Sequence, residues 1–308
     1  MMAKKLFKLY KFDFPALLIL FFLIKECFAN PLTPTFELTS SEVADGSILV
    51  IDLNFPDEKL KENLDIQGQF ETIAFPFFKD DKIEKGVSQN RYQAVLGVPH
   101  NHKSGEFSIE VTIQDPNTHE KNKLKIPLKV IDGKYPSEKL KVSSKHVNPN
   151  KKDLNRIIAE QAEVKKIYAE VIRQKFWKGP FQLPIESPVT SIYGTKRVFN
   201  GKLLSFHTGL DLKAPEGTPI YSASPGKVVL ARDLFFSGNT VIINHGYGVF
   251  TLYCHMSKID VVPGQMVESH SLLGLSGKTG RATGPHLHWQ AVVHSAKVNP
   301  MDLTKVMH

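Results

Sequence analysis

The run Pro285-His-Leu-His-Trp-Gln-Ala-Val-Val293 alternates polar and apolar side chains from His286 to Ala291. A period of two belongs to a strand with one packed face and one open face. His286, His288 and Gln290 then share a face over Leu287, Trp289 and Ala291. Two further stretches have the same form. Ser205-Phe-His-Thr-Gly-Leu-Asp-Leu212 puts His207, Gly209 and Asp211 on one side and Phe206, Leu210 and Leu212 on the other. Val249-Phe-Thr-Leu-Tyr-Cys-His-Met256 sets Thr251, Tyr253 and His255 against Phe250, Leu252, Cys254 and Met256. With many glycines and no helical period around them, these stretches predict an antiparallel β domain over residues 179–308.

Working outward, residues 136–178 change character. Pro149 and Asn150 open a charged stretch in which Leu154, Ile157, Ile158, Val164, Ile167, Val171 and Ile172 recur every three or four positions, the period of an amphipathic helix. This predicts a linker containing one connecting helix. Before it, Ser47–Leu53, Tyr92–Gly97, Phe107–Ile113 and Leu124–Val130 are short β-rich runs separated by turn signals, which predict an antiparallel β-sandwich over residues 30–135. The fold class is therefore mostly β: an N-terminal sandwich, a connecting α-helix and a C-terminal β domain. His100, His102 and His119 of the first unit lie in turn-like contexts and are expected to be solvated.

The amino end reads as a secretory signal peptide. Lys4, Lys5, Lys8 and Lys11 precede an apolar run from Phe14 to Ile24, and Cys27-Phe28-Ala29 supplies small residues for cleavage after Ala29. The run is too short for a retained anchor, which needs about 20 apolar residues. Export, periplasmic or secreted, is the expectation. The 308-residue chain carries +8 formally, and +5 without residues 1–29, which hold five lysines and two acids. This mild excess, with export and no nucleic-acid-binding motif, argues against nucleic acid as a partner. Cys254 is then the sole cysteine, so no internal disulfide supports the fold.

His207, Asp211, His255, His286 and His288 thus stand on open faces of apolar-backed strands. A hydrolytic zinc ion takes three nitrogen or oxygen ligands from the protein and leaves one position free. Spacing alone does not choose three of the five. The remaining imidazoles suit proton transfer near neutral pH.

His207-Thr-Gly-Leu-Asp211, Tyr253-Cys-His255-Met-Ser and His286-Leu-His288 resemble, in order and spacing, the motifs of lysostaphin and LytM-type zinc metallopeptidases, which hydrolyse peptide bonds of bacterial peptidoglycan. The resemblance spans roughly residues 187–303. It implies a C-terminal antiparallel β peptidase domain of LytM type holding one Zn2+, with His207, Asp211 and His288 as ligands and His255 and His286 as the catalytic histidines. Arg197 matches a basic position common before the first motif, where it either meets a substrate carboxylate or forms a structural ion pair. The Arg197-Val-Phe-Asn-Gly201 stretch looks like the form of Gram-negative members, favouring D-alanyl-diaminopimelate cross-links and a periplasmic location. The alternative is a non-catalytic relative that binds and activates another cell-wall hydrolase. A regulatory protein is a further expected partner, through the sandwich or the helix. The sandwich itself is expected to position the enzyme or cover its groove.

Three signals are weaker. The glycine-rich run 274–284 lacks the first glycine of a phosphate loop, since position 272 is leucine, and reads as a turn before the strand of His286. Cys254 falls on the apolar side of its strand, as does Met256, so a buried structural thiol is expected. His245 lies in a turn-like stretch, where a substrate contact is conceivable.

Overall fold

A computed structural model of the chain describes residues 32–56, 64–80, 90–141, 148–201 and 203–307. The expected signal segment lies outside them. Among the described residues no helix is long and apolar enough to cross a membrane.

The protein is mostly β. Its first nine strands are β1 (Thr35–Leu38), β2 (Glu42–Ala44), β3 (Ile48–Asn54), β4 (Asp65–Phe70), β5 (Ile73–Pro76), β6 (Phe78–Lys79), β7 (Arg91–Gly97), β8 (Gly105–Gln114) and β9 (Lys121–Ile131). They form a four-stranded sheet, β1-β3-β7-β6, packed on a five-stranded sheet, β2-β9-β8-β4-β5. All pairs are antiparallel except β2 with β9. Leu49, Ile51 and Leu53 fill the core between the two sheets, together with Phe70, Phe75, Ile109 and Ile126. The alternate residues Ile48 and Val50 are buried too, in a different core, because the outer face of β3 is covered by the C-terminal half. Double coverage explains why this strand is a continuous apolar run rather than an alternating one.

The stretch expected to be linker contributes β10 (Ser137–Leu140) and helix α1 (Lys151–Ala169). The Asn150 side chain caps the helix, accepting from the Asp153 N–H at 2.9 Å. The helix buries Tyr168, with Val164 and Ile167 partly buried beside it, against Leu230, Ile242, Phe250, Leu252, Cys254 and Val292. Leu154 and Ile158, part of the expected apolar stripe, are exposed instead, while Ile157 is buried and Arg156 beside it forms ion pairs with Glu160 and Asp233.

The C-terminal half adds β11 (Val189–Ser191), β12 (Lys196–Phe199), β13 (Leu203–Phe206), β14 (Leu210–Lys213), β15 (Pro219–Tyr221), β16 (Gly226–Leu234) and β17 (Gly238–Asn244). It continues through β18 (Val249–Met256), β19 (Lys258–Ile259), β20 (Met266–Val267), β21 (Leu272–Leu275), β22 (His286–Val293), β23 (Ala296–Val298) and helix α2 (Pro300–Val306). The central sheet runs β11-β14-β22-β18-β17-β16-β20, with β23 beside β22. One face packs Leu287, Trp289, Ala291 and Tyr253 into the largest core, which also receives Ile48, Val50, Phe78 and Val95 of the sandwich. The sandwich therefore lies behind the sheet, away from the face of His286 and His288. Covering of the groove by the sandwich, one of the two roles expected of it, does not occur through this contact. The other face carries α1 at one end and the imidazoles at the other.

Candidate metal centre

Strand pairing brings distant residues to one place. β14 pairs with β22 so that Asp211 stands opposite His288, and β18 pairs with β22 so that Cys254 stands opposite His288 on the other side. The expected single strand through 205–212 is interrupted: β13 ends at Phe206, and His207 to Gly209 form the corner before β14. His207 nonetheless turns into the site, fixed by its own N–H donating to Thr195 and its carbonyl accepting from Gly194, both at 2.8 Å. Gly209 permits the crossing, because a Cβ there would lie 2.4 Å from the Trp289 carbonyl oxygen and 2.7 Å from His288 Cε1. Phe206, expected behind the strand, is instead 36% exposed and meets His100 edge-on, since the corner takes it out of the alternating series.

His207 Nε2, Asp211 Oδ1 and His288 Nδ1 are each 2.9 Å from the other two. The His207 Nδ1–H donates to the Ile192 carbonyl at 2.8 Å, which leaves Nε2 with a lone pair aimed at the carboxylate. Lone pairs of two imidazoles and a carboxylate converging on one point are what a cation satisfies, and a carbonyl behind the ligand histidine is the usual partner of such a ligand. The three residues can hold one metal ion, and nitrogen and oxygen donors in this number fit zinc. Burial opposes ionisation of Asp211, but its contacts with the His207 and His288 rings outweigh it and hold the carboxyl well below the usual range. Burial pushes His288 down to about 4, with Asp211 partly opposing the shift.

His255 and His286 adjoin this triangle. Their ring centroids are 4.8 Å apart, and His286 Nε2 is 3.7 Å from Asp211 Oδ1. Each ring is oriented from behind: His255 Nδ1–H donates to the Thr279 carbonyl and His286 Nδ1–H to the Gly284 carbonyl, both at 2.8 Å. Both Nε2 lone pairs are thereby left for chemistry. His255 has φ +62°, in the left-handed region that non-glycine residues rarely adopt. That conformation breaks the alternation of β18. Thr251 and Tyr253 share a side, their hydroxyls 3.0 Å apart, opposite Phe250, Leu252 and Cys254 that face α1; only His255 leaves the expected common face, and Met256 enters the largest core with Tyr253, opposite Cys254. Cys254 is buried, and burial pushes its thiol up to about 12.

Of the two alternatives for Arg197, the ion pair is present. Its Nη2–H donates to Asp211 Oδ2 at 2.6 Å and its Nε–H to Glu138 Oε1 at 2.5 Å. Ser191 joins the group, 2.9 Å from Arg197 and 3.3 Å from His207 Nδ1. Glu138 lies on β10, which pairs in parallel with β12. Sequence reading missed it because a parallel pairing between a linker strand and a later hairpin leaves no local signature. His245 is fully buried, bonded to the Pro225 carbonyl and Thr251 Oγ1 at 2.7 Å each, so a substrate contact is ruled out by its packing. His100 and His102 are not solvated either. His100 meets Asp45 at 3.3 Å and His102 meets Glu71 at 3.0 Å, two separate pairs.

Residues 205–300 match Peptidase family M23. The chain carries a peptidase M23 domain. Over 100 residues it is 46% identical to the Vibrio cholerae peptidoglycan DD-endopeptidase ShyA, covering 32% of this chain and 23% of that protein. Over 97 residues it is 40% identical to the Neisseria meningitidis DD-carboxypeptidase/endopeptidase Mpg, covering 32% of this chain and 22% of that one. The matches thus span about a quarter of these relatives' length. The crystal structure of a candidate M23 peptidase from Pseudomonas aeruginosa superimposes with a TM-score of 0.63 at 26% identity, covering 86% of this chain and 96% of that chain. That likeness extends the M23 comparison from the matched segment to most of the described fold.

Proposed function

We propose that the protein is an exported zinc endopeptidase that hydrolyses peptide cross-links of bacterial peptidoglycan, at D-alanyl-diaminopimelate bonds. The observation that carries this reading is the donor triangle of His207, Asp211 and His288 with two further imidazoles beside it whose Nε2 atoms are free. The peptidoglycan endopeptidases among its relatives support the substrate class. The basic, apolar and small-residue segments of 1–29 support export, and peptidoglycan lies outside the cytoplasm.

His207, Asp211 and His288 would hold one zinc ion, which supplies a Lewis acid for the scissile carbonyl and acidifies water. Arg197 fixes the second oxygen of Asp211 and leaves Oδ1 for the metal. His255 stays neutral at working pH because burial pushes it down to about 3. An imidazole Nε2 accepts a proton from the attacking water as its oxygen bonds to the carbonyl carbon, and the proton passes to the nitrogen as the C–N bond breaks. The other imidazole Nε2 accepts from the second O–H of the same water and so orients its oxygen toward the carbonyl carbon. His255 and His286 share these two roles.

Zinc-loaded protein incubated with isolated sacculi, with and without a chelator, tests the reading by mass spectrometry of the released muropeptides. Chelator-sensitive conversion of cross-linked dimers to monomers is expected. Sacculi left intact by the full chain, with a partner hydrolase stimulated equally by wild type and His207→Ala, would favour the non-catalytic activator instead.

A further inference from the structure

The loop between Gly277 and His286 orients both free imidazoles through the Thr279 and Gly284 carbonyls. Midway along it stands Arg281, which the mechanism above does not use. Its guanidinium carbon lies 4.4 Å from the centroid of Phe199 and 4.6 Å from that of Phe236. Its backbone N–H donates to the Phe236 carbonyl at 2.8 Å, so the loop and the β17 turn hold it together. Among the described residues no oxygen accepts a hydrogen bond from its side chain, and no carboxylate pairs with it. Burial and the nearby Arg197 both disfavour its charge. Glu138 and Asp211, the carboxylates nearby, pair with Arg197 rather than with Arg281.

Two aromatic rings against a guanidinium stabilise its π-system and restrict its free hydrogen bonding to the edge, where five N–H donors form a planar fork. That edge matches a carboxylate. Its position is equally specific. Phe199 follows Arg197 by two residues on β12, one strand repeat of about 7 Å on the same face, and Arg197 touches Asp211 at 2.6 Å. The unpaired cation therefore stands on the Arg197 side of the donor triangle.

We propose that Arg281 binds a free carboxylate of the cross-link peptide, that of the diaminopimelate residue on the amine side of the scissile bond, and so selects acidic over amidated substrates. This rests on the endopeptidase reading and deepens it. Arg281 is a substrate-binding residue, distinct from Arg197, which positions Asp211.

The test compares purified cross-linked muropeptide dimers whose diaminopimelate carboxyl is free or converted to the primary amide. Steady-state kinetics are measured on zinc-loaded wild type, Arg281→Lys and Arg281→Gln, and equilibrium binding of both dimers in a His286→Ala background that stops turnover. Wild type is expected to favour the free acid by about 10- to 100-fold, chiefly in KM and Kd, the scale of a charged hydrogen-bonded pair. Arg281→Gln should treat the two dimers alike, and Arg281→Lys, which keeps the charge but not the fork, should keep part of the preference. Equal binding of both dimers by wild type, or a preference that survives unchanged in Arg281→Gln, overturns the proposal. If Arg281→Gln does not fold, the wild-type comparison and Arg281→Lys decide: an undiminished preference in the lysine variant overturns the fork. Arg281-dependent selective binding without cleavage would sink the endopeptidase reading and leave the carboxylate site standing. Cleavage of both dimers at equal efficiency and affinity would do the reverse.

Discussion

In the sandwich, β3 spends both faces on packing: Leu49, Ile51 and Leu53 face one core, Ile48 and Val50 another. In the central sheet, β18 packs Tyr253 and Cys254 on opposite sides, then turns through a left-handed residue that swings His255 into the site. The sandwich has histidines too, but His119 is exposed and the other two each meet a separate acid, His100 with Asp45 and His102 with Glu71. In the sheet, one carboxylate, Asp211, serves two imidazoles and an arginine. What separates a packed β unit from a reactive one here is convergence of lone pairs on a shared carboxylate, not the number of histidines.

The largest expected effect is at that shared carboxylate. Asp211→Ala should abolish both zinc retention and hydrolysis, measured as bound metal per chain and as muropeptide release. Next, His286→Ala should keep its zinc and lose about 10²- to 10⁴-fold in kcat, the usual worth of a proton-transferring side chain. Loss of the metal in that variant would erase the distinction drawn between ligand and proton-transfer histidines.

Stability against pH separates a core histidine from a reactive one. Burial pushes His245 from 6.5 down to about 4, so the folded chain keeps it neutral. Its contribution is complete above the unfolded value near 6.5 and is lost as the pH falls from there to about 4, by about 3 kcal/mol in all. Denaturant unfolding of wild type and His245→Gln across that window should show the steeper decline in wild type. Parallel curves would contradict the assignment. A smaller effect is expected of Glu138→Gln, which loosens Arg197 behind Asp211 and should weaken zinc binding about 10-fold, as outer partners of metal ligands do. His102→Ala should cost only about 1 kcal/mol of stability, from its bond to Glu71, and leave hydrolysis unchanged. A loss of activity there would mean that the sandwich reaches the chemistry.

The faces of β22 were legible because alternation holds along it: Leu287, Trp289 and Ala291 are buried, with the histidines opposite. The extent of β8 and β9 was legible for the same reason, although each runs a few residues beyond the predicted segment. Alternation failed where the backbone leaves extended geometry, at the His207 corner and at His255, and both failures fall within the site. Phe206 and Met256 were misplaced by those two irregularities. Pairings distant in sequence were invisible: Glu138 on a linker strand, and the packing of Ile48 and Val50 on the back of the sheet. His245, His100 and His102 looked like loop residues, and only tertiary contacts bury them.

The central claim, that His207, Asp211 and His288 form one zinc centre, is tested most directly by metal analysis combined with zinc X-ray absorption on the purified chain. One zinc per chain is expected, with two imidazoles and a carboxylate oxygen among its donors at about 2.0–2.2 Å. The signal should vanish in Asp211→Ala. Zinc bound at full stoichiometry in that variant, or a donor shell without imidazole, would contradict it.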